Sequence, residues 1–157
     1  MLDKTKEVLD NNKVDMAEKT IHEILTIASI IENEAKFKED RPVVSQVIWK
    51  RWTSNMSLGM DVTTYYGAKK ALSETLTQSD LSAKNAYNTR NTEFIGLPVG
   101  PISNPSESSI VAALNPSDTN YLYFYADVYG KDGSEYVGKL HFAETYNEFQ
   151  ALIRKYR

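Results

Sequence analysis

The chain has 157 residues and a mass of 17.8 kDa, with 41% apolar and 25% charged residues, which is room and material for one globular domain with its own core. Eighteen Lys and Arg against 21 Asp and Glu give a formal charge of −3, without the basic surplus or stripe of a duplex-binding protein. Zero cysteines exclude disulfides, thiolate metal sites and cysteine nucleophiles, and two histidines, His22 and His141, make a His-rich metal site a poor reading. The longest apolar stretch, Ile24 to Ile31, is broken by Thr26 and Ser29 and is far short of the ~20 residues of a membrane span. No signal peptide is visible.

Met1 to Asn12 is polar and reads as a short, weakly held helix that stops at Asn11-Asn12. Residues 1–15 are therefore expected to be the remnant of a longer parent, and 16–157 the domain proper. Asp15 or Thr20 caps the next helix, expected over Met16 to Lys38. Ile21, Ile24, Leu25 and Ala28 follow helical spacing, and Ile27, Ile30 and Phe37 lie on the other side, so the helix is apolar all round and should be central and buried. Pro42 opens a further helix with Val43, Val44, Val47, Ile48 and Trp52 on one face.

From Thr53 to Asn104 the periodicity fades. Met60 to Tyr66 reads as a strand or an extended segment, and Ser79-Asp80 as the cap of a short helix to about Lys84. Phe94 to Pro105 holds Gly96, Pro98, Gly100, Pro101 and Pro105, and should be a shaped, ordered loop. Ser106 with Ser109, or Pro105 with Glu107, starts a helix that Asn115-Pro116 stops near Leu114. Tyr121 to Ala126 is an aromatic strand, Lys131 to Ser134 a turn, and Glu135 to Phe142 a second strand. Thr145 to Tyr156 closes the chain as a helix with Phe149, Leu152 and Ile153 inward. Helices, an irregular segment, a helix, a hairpin and a closing helix make an α+β domain.

The anomaly in this pattern is I-I-E-N-E-A, which sets Glu32 and Glu34 in the most apolar helix of the chain. Two positions apart, at ~100° per residue, they face different sides and cannot form a dyad on one ligand. In one reading Glu32 pairs with a cation of another helix, such as Arg51, and Glu34 is solvated near the helix end. In the other, a carboxylic acid whose pKa is raised by apolar surroundings delivers a proton to a leaving oxygen, as in cleavage of a glycosidic bond. A hydrolase would need a second carboxylate. Asp61 is the candidate, with an Asx-turn as its alternative role, and Asp127 more simply ends a strand. Tyr87, Asn88 and Thr89, with Gly96, Pro98 and the rest of the loop to Asn104, supply the polar groups on rigid backbone that a sugar site needs, or else form an ordinary well-turned loop.

The string L-T-I-A-S-I-I-E-N-E-A (25–35) resembles the L-A-S-I-V-E-K-E signature of the YceG-like, or MltG, endolytic murein transglycosylases. The resemblance continues in order. V-S-Q-V-I-W-K-R-W (44–52) is similar to V-x-x-V-F-x-N-R-L, and D-V-T-T-Y-Y-G (61–67) to D-P-T-V-x-Y-G. Y-N-T (87–89), G-L-P-V-G-P-I-S-N-P (96–105), A-A-L-N-P, Y-L-Y-F and the helix after F-A-E-T (142–145) follow in family order. The chain departs from the pattern at Gly59 and Met60, where Gln then Ser or Thr are usual. It departs again at Val62 for Pro, at Lys50 for Asn, and at Phe149 where the terminal motif has His.

The resemblance implies cleavage of the MurNAc-β-1,4-GlcNAc bond of peptidoglycan strands to 1,6-anhydro-MurNAc ends, without water, cofactor or metal. It places the acid that later acts as base at Glu34, and makes Glu32 structural, holding Arg51. Asp61, Thr63, Tyr87, Asn88, Thr89, Gly96, Pro98 and Asn104 become the expected substrate contacts. A non-catalytic peptidoglycan-binding scaffold, or a hydrolase using Glu34 and Asp61, are the alternatives. The family's membrane anchor and LysM-like region are expected elsewhere in a full-length protein, single-pass anchored at the extracytoplasmic face of the bacterial cell membrane and working with the cell-wall synthesis machinery. The fragment itself should contact neither membrane nor nucleic acid.

Overall fold

A computed structural model describes residues 6–7, 20–131 and 137–157. The helix expected over 1–12 and the turn expected at Lys131 to Ser134 fall largely outside these, save for Lys6, Glu7 and Lys131. The described chain runs α1 (Ile21–Glu34), α2 (Arg41–Thr53), α3 (Asp61–Ala68), α4 (Gln78–Ser82), α5 (Glu107–Leu114), β1 (Tyr123–Asp127), β2 (Lys139–Ala143) and α6 (Tyr146–Tyr156). This is an α+β fold. Among the described residues no helix is long and apolar enough to cross a membrane.

The helix α1 is the core. Ile24, Ile27, Ala28, Ile30 and Ile31 are all fully buried, against α5, α2 and α3. Its start is written in T-x-x-E: Thr20 accepts from the Glu23 amide at 3.2 Å, and the Glu23 carboxylate accepts from the Thr20 amide at 2.8 Å. It ends at Glu34, four residues before the expected Lys38, so Glu34 occupies its last turn rather than its middle. Ala35 turns to extended backbone, and its carbonyl is taken by the Arg41 Nε at 3.4 Å. Pro42 sits in the first turn of α2, as its missing N–H allows.

The extended segment expected at Met60 to Tyr66 is instead the helix α3. Its β-branched and aromatic residues favour a strand, but tertiary bonds decide the outcome. The Thr63 hydroxyl bonds the Thr89 hydroxyl (2.8 Å), and the Thr64 hydroxyl donates to Asn88 Oδ1 (2.7 Å). Thr77, not Ser79, caps α4, and Ser106 caps α5.

The strands pair antiparallel, Tyr123 opposite Ala143 and Asp127 opposite Lys139. Each begins later than its sequence suggests, at Tyr123 and Lys139. The hairpin is tied to the head of α2 by Asp40, whose buried carboxylate accepts the Leu140 amide at 3.2 Å. α6 opens with a second T-x-x-E box, Thr145 with Glu148, and packs on both strands.

Candidate active site

Glu34 ends α1 where α3 begins, and lines a cleft of about 920 Å³, near the upper end of ordinary ligand pockets. The residue keeps part of its surface open to the cleft. Its carboxyl is packed among protein atoms, and this loss of solvent, helped by the nearby Asp61 charge, raises its pKa from 4.5 to about 7. Its place at the negative end of the α1 dipole acts in the same direction. The Val62 amide, in the first turn of α3, hydrogen-bonds the carboxyl, and Arg90 lies nearby; both pull the other way. The group therefore exchanges a proton near neutral pH while one hydrogen bond fixes its orientation.

Asp61 stands at the mouth of the same cleft, with its side chain 57% exposed, and pairs with Arg90 Nε at 3.3 Å. The pair leads to a test of Glu34 that leaves Glu34 in place. Asp61→Asn removes a negative charge and should move the alkaline limb of the pH–rate profile to lower pH. Arg90→Ala removes a positive charge and should move it to higher pH. Shifts in the same direction, or none, would show that another group sets that limb.

Glu32 faces away from this cleft, as the two-residue spacing predicts. Its partner is Arg41, at 3.3 Å, and not Arg51. It also accepts from the Ser106 amide (3.0 Å), the Ser106 hydroxyl (2.6 Å) and the Ser109 hydroxyl (2.7 Å), and so closes the N-terminus of α5. Burial alone would raise its pKa, but the Ser106 and Ser109 hydrogen bonds and Arg41 outweigh that and bring it to about 2.

Arg51 has a different task. It donates to Leu122 O (2.6 Å), Leu58 O (2.8 Å) and Ser57 O (3.1 Å), and its guanidinium lies 4.9 Å from the centre of the Tyr123 ring. It holds the 57–59 turn to β1 under the cleft. This accounts for Gly59, which has φ +66° and where a Cβ would lie 3.0 Å from Arg51 Nη1.

The other expected contacts divide. Thr63, Asn88 and Thr89 are fully buried and do not line the cleft. Thr63 and Thr89 share a hydroxyl bond (2.8 Å), and the Thr89 carbonyl accepts from the Gly59 amide (3.0 Å) and from the Ser57 hydroxyl. The Asn88 amide donates to the carbonyls of Asp80, Leu81 and Ala83 at 2.7–3.1 Å. These residues build the frame behind Gly59 to Asp61.

Tyr87 packs on Tyr66, with ring centres 4.7 Å apart, away from the cleft lining. The loop carrying Gly96, Pro98 and Asn104 is tied to α1: Ile102 N donates to Ser29 Oγ (3.0 Å), Asn33 to Ser103 Oγ (2.7 Å), and His22 Nε2 meets Val99 O at 2.8 Å. Pro98 is buried, Asn104 is exposed, and neither lines the cleft. Arg90, Tyr123, Tyr125, Tyr146 and Phe149 line the cleft although the sequence does not single them out as site residues, and of these Arg90 lies beside Asp61. The signal for Arg90 is its place directly after Y-N-T.

The YceG-like family matches residues 1–155 of the chain. The chain belongs to the YceG-like family. It is 37% identical over 159 residues to an endolytic murein transglycosylase of Bacillus subtilis, covering 99% of this chain and 41% of that protein. A second endolytic murein transglycosylase, of Streptococcus pneumoniae, is 32% identical over 114 residues, 69% of this chain and 20% of that one. The crystal structure of a YceG-like protein of Listeria monocytogenes superposes with a TM-score of 0.76 at 36% identity, over 96% of this chain and 44% of that one. The YceG-like chain described here thus spans less than half the length of each of these relatives.

Proposed function

We propose that this YceG-like chain is the lytic unit of an endolytic murein transglycosylase, with Glu34 as its single acid–base residue. The observation that carries the reading is a carboxyl with a pKa of about 7 at the junction of two helices, open to a cleft. Protonated Glu34 gives its proton to the GlcNAc O4 as the bond to the MurNAc C1 breaks. The resulting carboxylate then takes the proton of the MurNAc 6-hydroxyl as O6 closes onto C1. The proton is returned, no water is consumed, and the product end is 1,6-anhydro-MurNAc. Because the substrate supplies the nucleophile, one carboxylate is enough. The pairing of Asp61 with Arg90 fits a charge that tunes Glu34 better than the free nucleophile or water-activating base of a two-carboxylate hydrolase.

The names of the Bacillus and Streptococcus relatives support murein as the substrate. Such a reaction places the chain on the outer side of a bacterial membrane, held there by the rest of a longer protein. Digestion of purified murein strands tests the reading. Anhydro ends are expected, reducing ends would make the chain a hydrolase, and binding without cleavage would make it a scaffold.

A further inference from the structure

The acidic group occupies only part of the cleft. Another wall is made by β1 and α6, and it is aromatic: Tyr123, Tyr125, Tyr146 and Phe149 all line it. Tyr123 and Phe149 stack with centres 5.3 Å apart and planes 21° apart, and Tyr146 leans on both at 5.9 and 6.2 Å. Tyr146 nevertheless remains 57% exposed. An exposed tyrosine braced by two other rings is a rigid flat surface with little side-chain entropy left to lose. Arg51 joins this wall to the acid end, since it holds the 57–59 turn and lies against Tyr123. Arg157 adds positive charge to the lining of a chain whose net charge is −3, and Arg90 is shared there with Asp61.

We infer that this wall is a second carbohydrate subsite, at which Tyr146 stacks on a pyranose ring of the same glycan strand, away from the bond cleaved. The inference rests on the proposed function for its ligand class. Three features of the wall select a sugar strand. A β-linked pyranose presents a flat face of C–H groups that suits an aromatic ring. The strand is continuous, so a ring on the wall and a bond at Glu34 can belong to one molecule in one cleft. In peptide-free strands, where the MurNAc lactyl groups are free carboxylates, they suit Arg157 of the lining. The family's terminal His is replaced here by Phe149, which supplies one of the two bracing rings.

The test uses the full chain carrying Glu34→Gln, so that strands are bound and not cut, with peptide-free murein glycan strands as the probe. Tyr146→Ala should weaken binding about 10-fold, the size expected for losing one stacked ring. Tyr146→Trp should restore it, and because the ring is 57% exposed, loss of its two ring contacts in Tyr146→Ala should lower the melting temperature by only about 2–4 °C. In the cutting-competent chain Tyr146→Ala should raise KM with kcat nearly unchanged, as for binding shared by ground and transition states. Unchanged strand binding in Tyr146→Ala would overturn the subsite. So would an equal loss for free stem peptide, which would make the wall a peptide site. If the unsubstituted chain left strands uncut while Tyr146→Ala still weakened their binding, the lytic reading would fail and the subsite would stand.

Discussion

Glu34→Gln should abolish release of anhydro ends while leaving the fold intact. Gln keeps the shape and can still accept the Val62 amide, but it can neither give nor take a carboxylic proton. General acid–base help is typically worth ~10²–10⁴-fold, and in the proposed reaction one residue serves both halves. The same substitution should make the protein more stable at alkaline pH. Folded Glu34 holds its proton up to about pH 7, against 4.5 for the ordinary group. The folded state therefore binds more protons between those values, and stability falls as pH rises through that window. The variant lacks this slope, and at pH 8 it should gain up to about 3 kcal/mol, less where cleft water reaches the carboxyl. Activity and melting temperature thus move in opposite directions. A variant that lost activity and stability together would point to a structural glutamate.

Glu32→Gln should give the reverse signature. Its carboxylate answers Arg41, two serine hydroxyls and a backbone amide, and the side chains of the pair are 9% and 28% exposed. Breaking a fully buried pair costs ~3–5 kcal/mol; the partial exposure reduces the expectation to about 2 kcal/mol. The folded pKa of about 2 lies below the ordinary 4.5, so this contribution is complete above 4.5 and disappears as pH falls towards 2. The melting curves of the two proteins should converge over that range. Below its melting temperature the variant should still cut strands. Near-normal anhydro-end formation in Glu34→Gln, with its loss in Glu32→Gln at unchanged stability, would exchange the two roles.

What the sequence made legible was what local physics controls. The α1 core, the divergence of Glu32 and Glu34, the Pro42 start, the two paired strands and α6 all follow from residue spacing, helix-start residues and strand-forming composition. What it concealed was burial of polar groups. Thr63, Asn88 and Thr89 carry the groups a sugar rim would carry, yet they spend them on backbone at zero exposure. A hydroxyl in an irregular segment looks the same in sequence whether it faces ligand or carbonyl. The helix α3 was hidden for the same reason, since long-range bonds from Asn88 and Thr89 outweigh its strand-forming residues. The sequence points to a cation for Glu32, but the partner is Arg41 and not Arg51. Arg41 and Arg51 both lie on the next helix, and only the turn at Ala35 decides which one reaches it.

The three carbonyls that Arg51 collects also bear on the order in which the molecule comes together. Two of them are six and seven residues away, but the third, Leu122, is 71 residues along the chain. The Asp40 bond to Leu140 spans 100. During synthesis α1 and α2 emerge well before their hairpin partners, so the cleft floor has no fixed shape until the last third of the chain has docked. The Glu34 end and the aromatic end are then completed in one late event rather than in succession. Native-state hydrogen exchange should find the amides of Gly59 and Leu122, bonded to the Thr89 and Ala143 carbonyls, opening together as one cooperative unit, slower than the frayed ends of α6. Independent opening of the two would mean that Arg51 does not couple them.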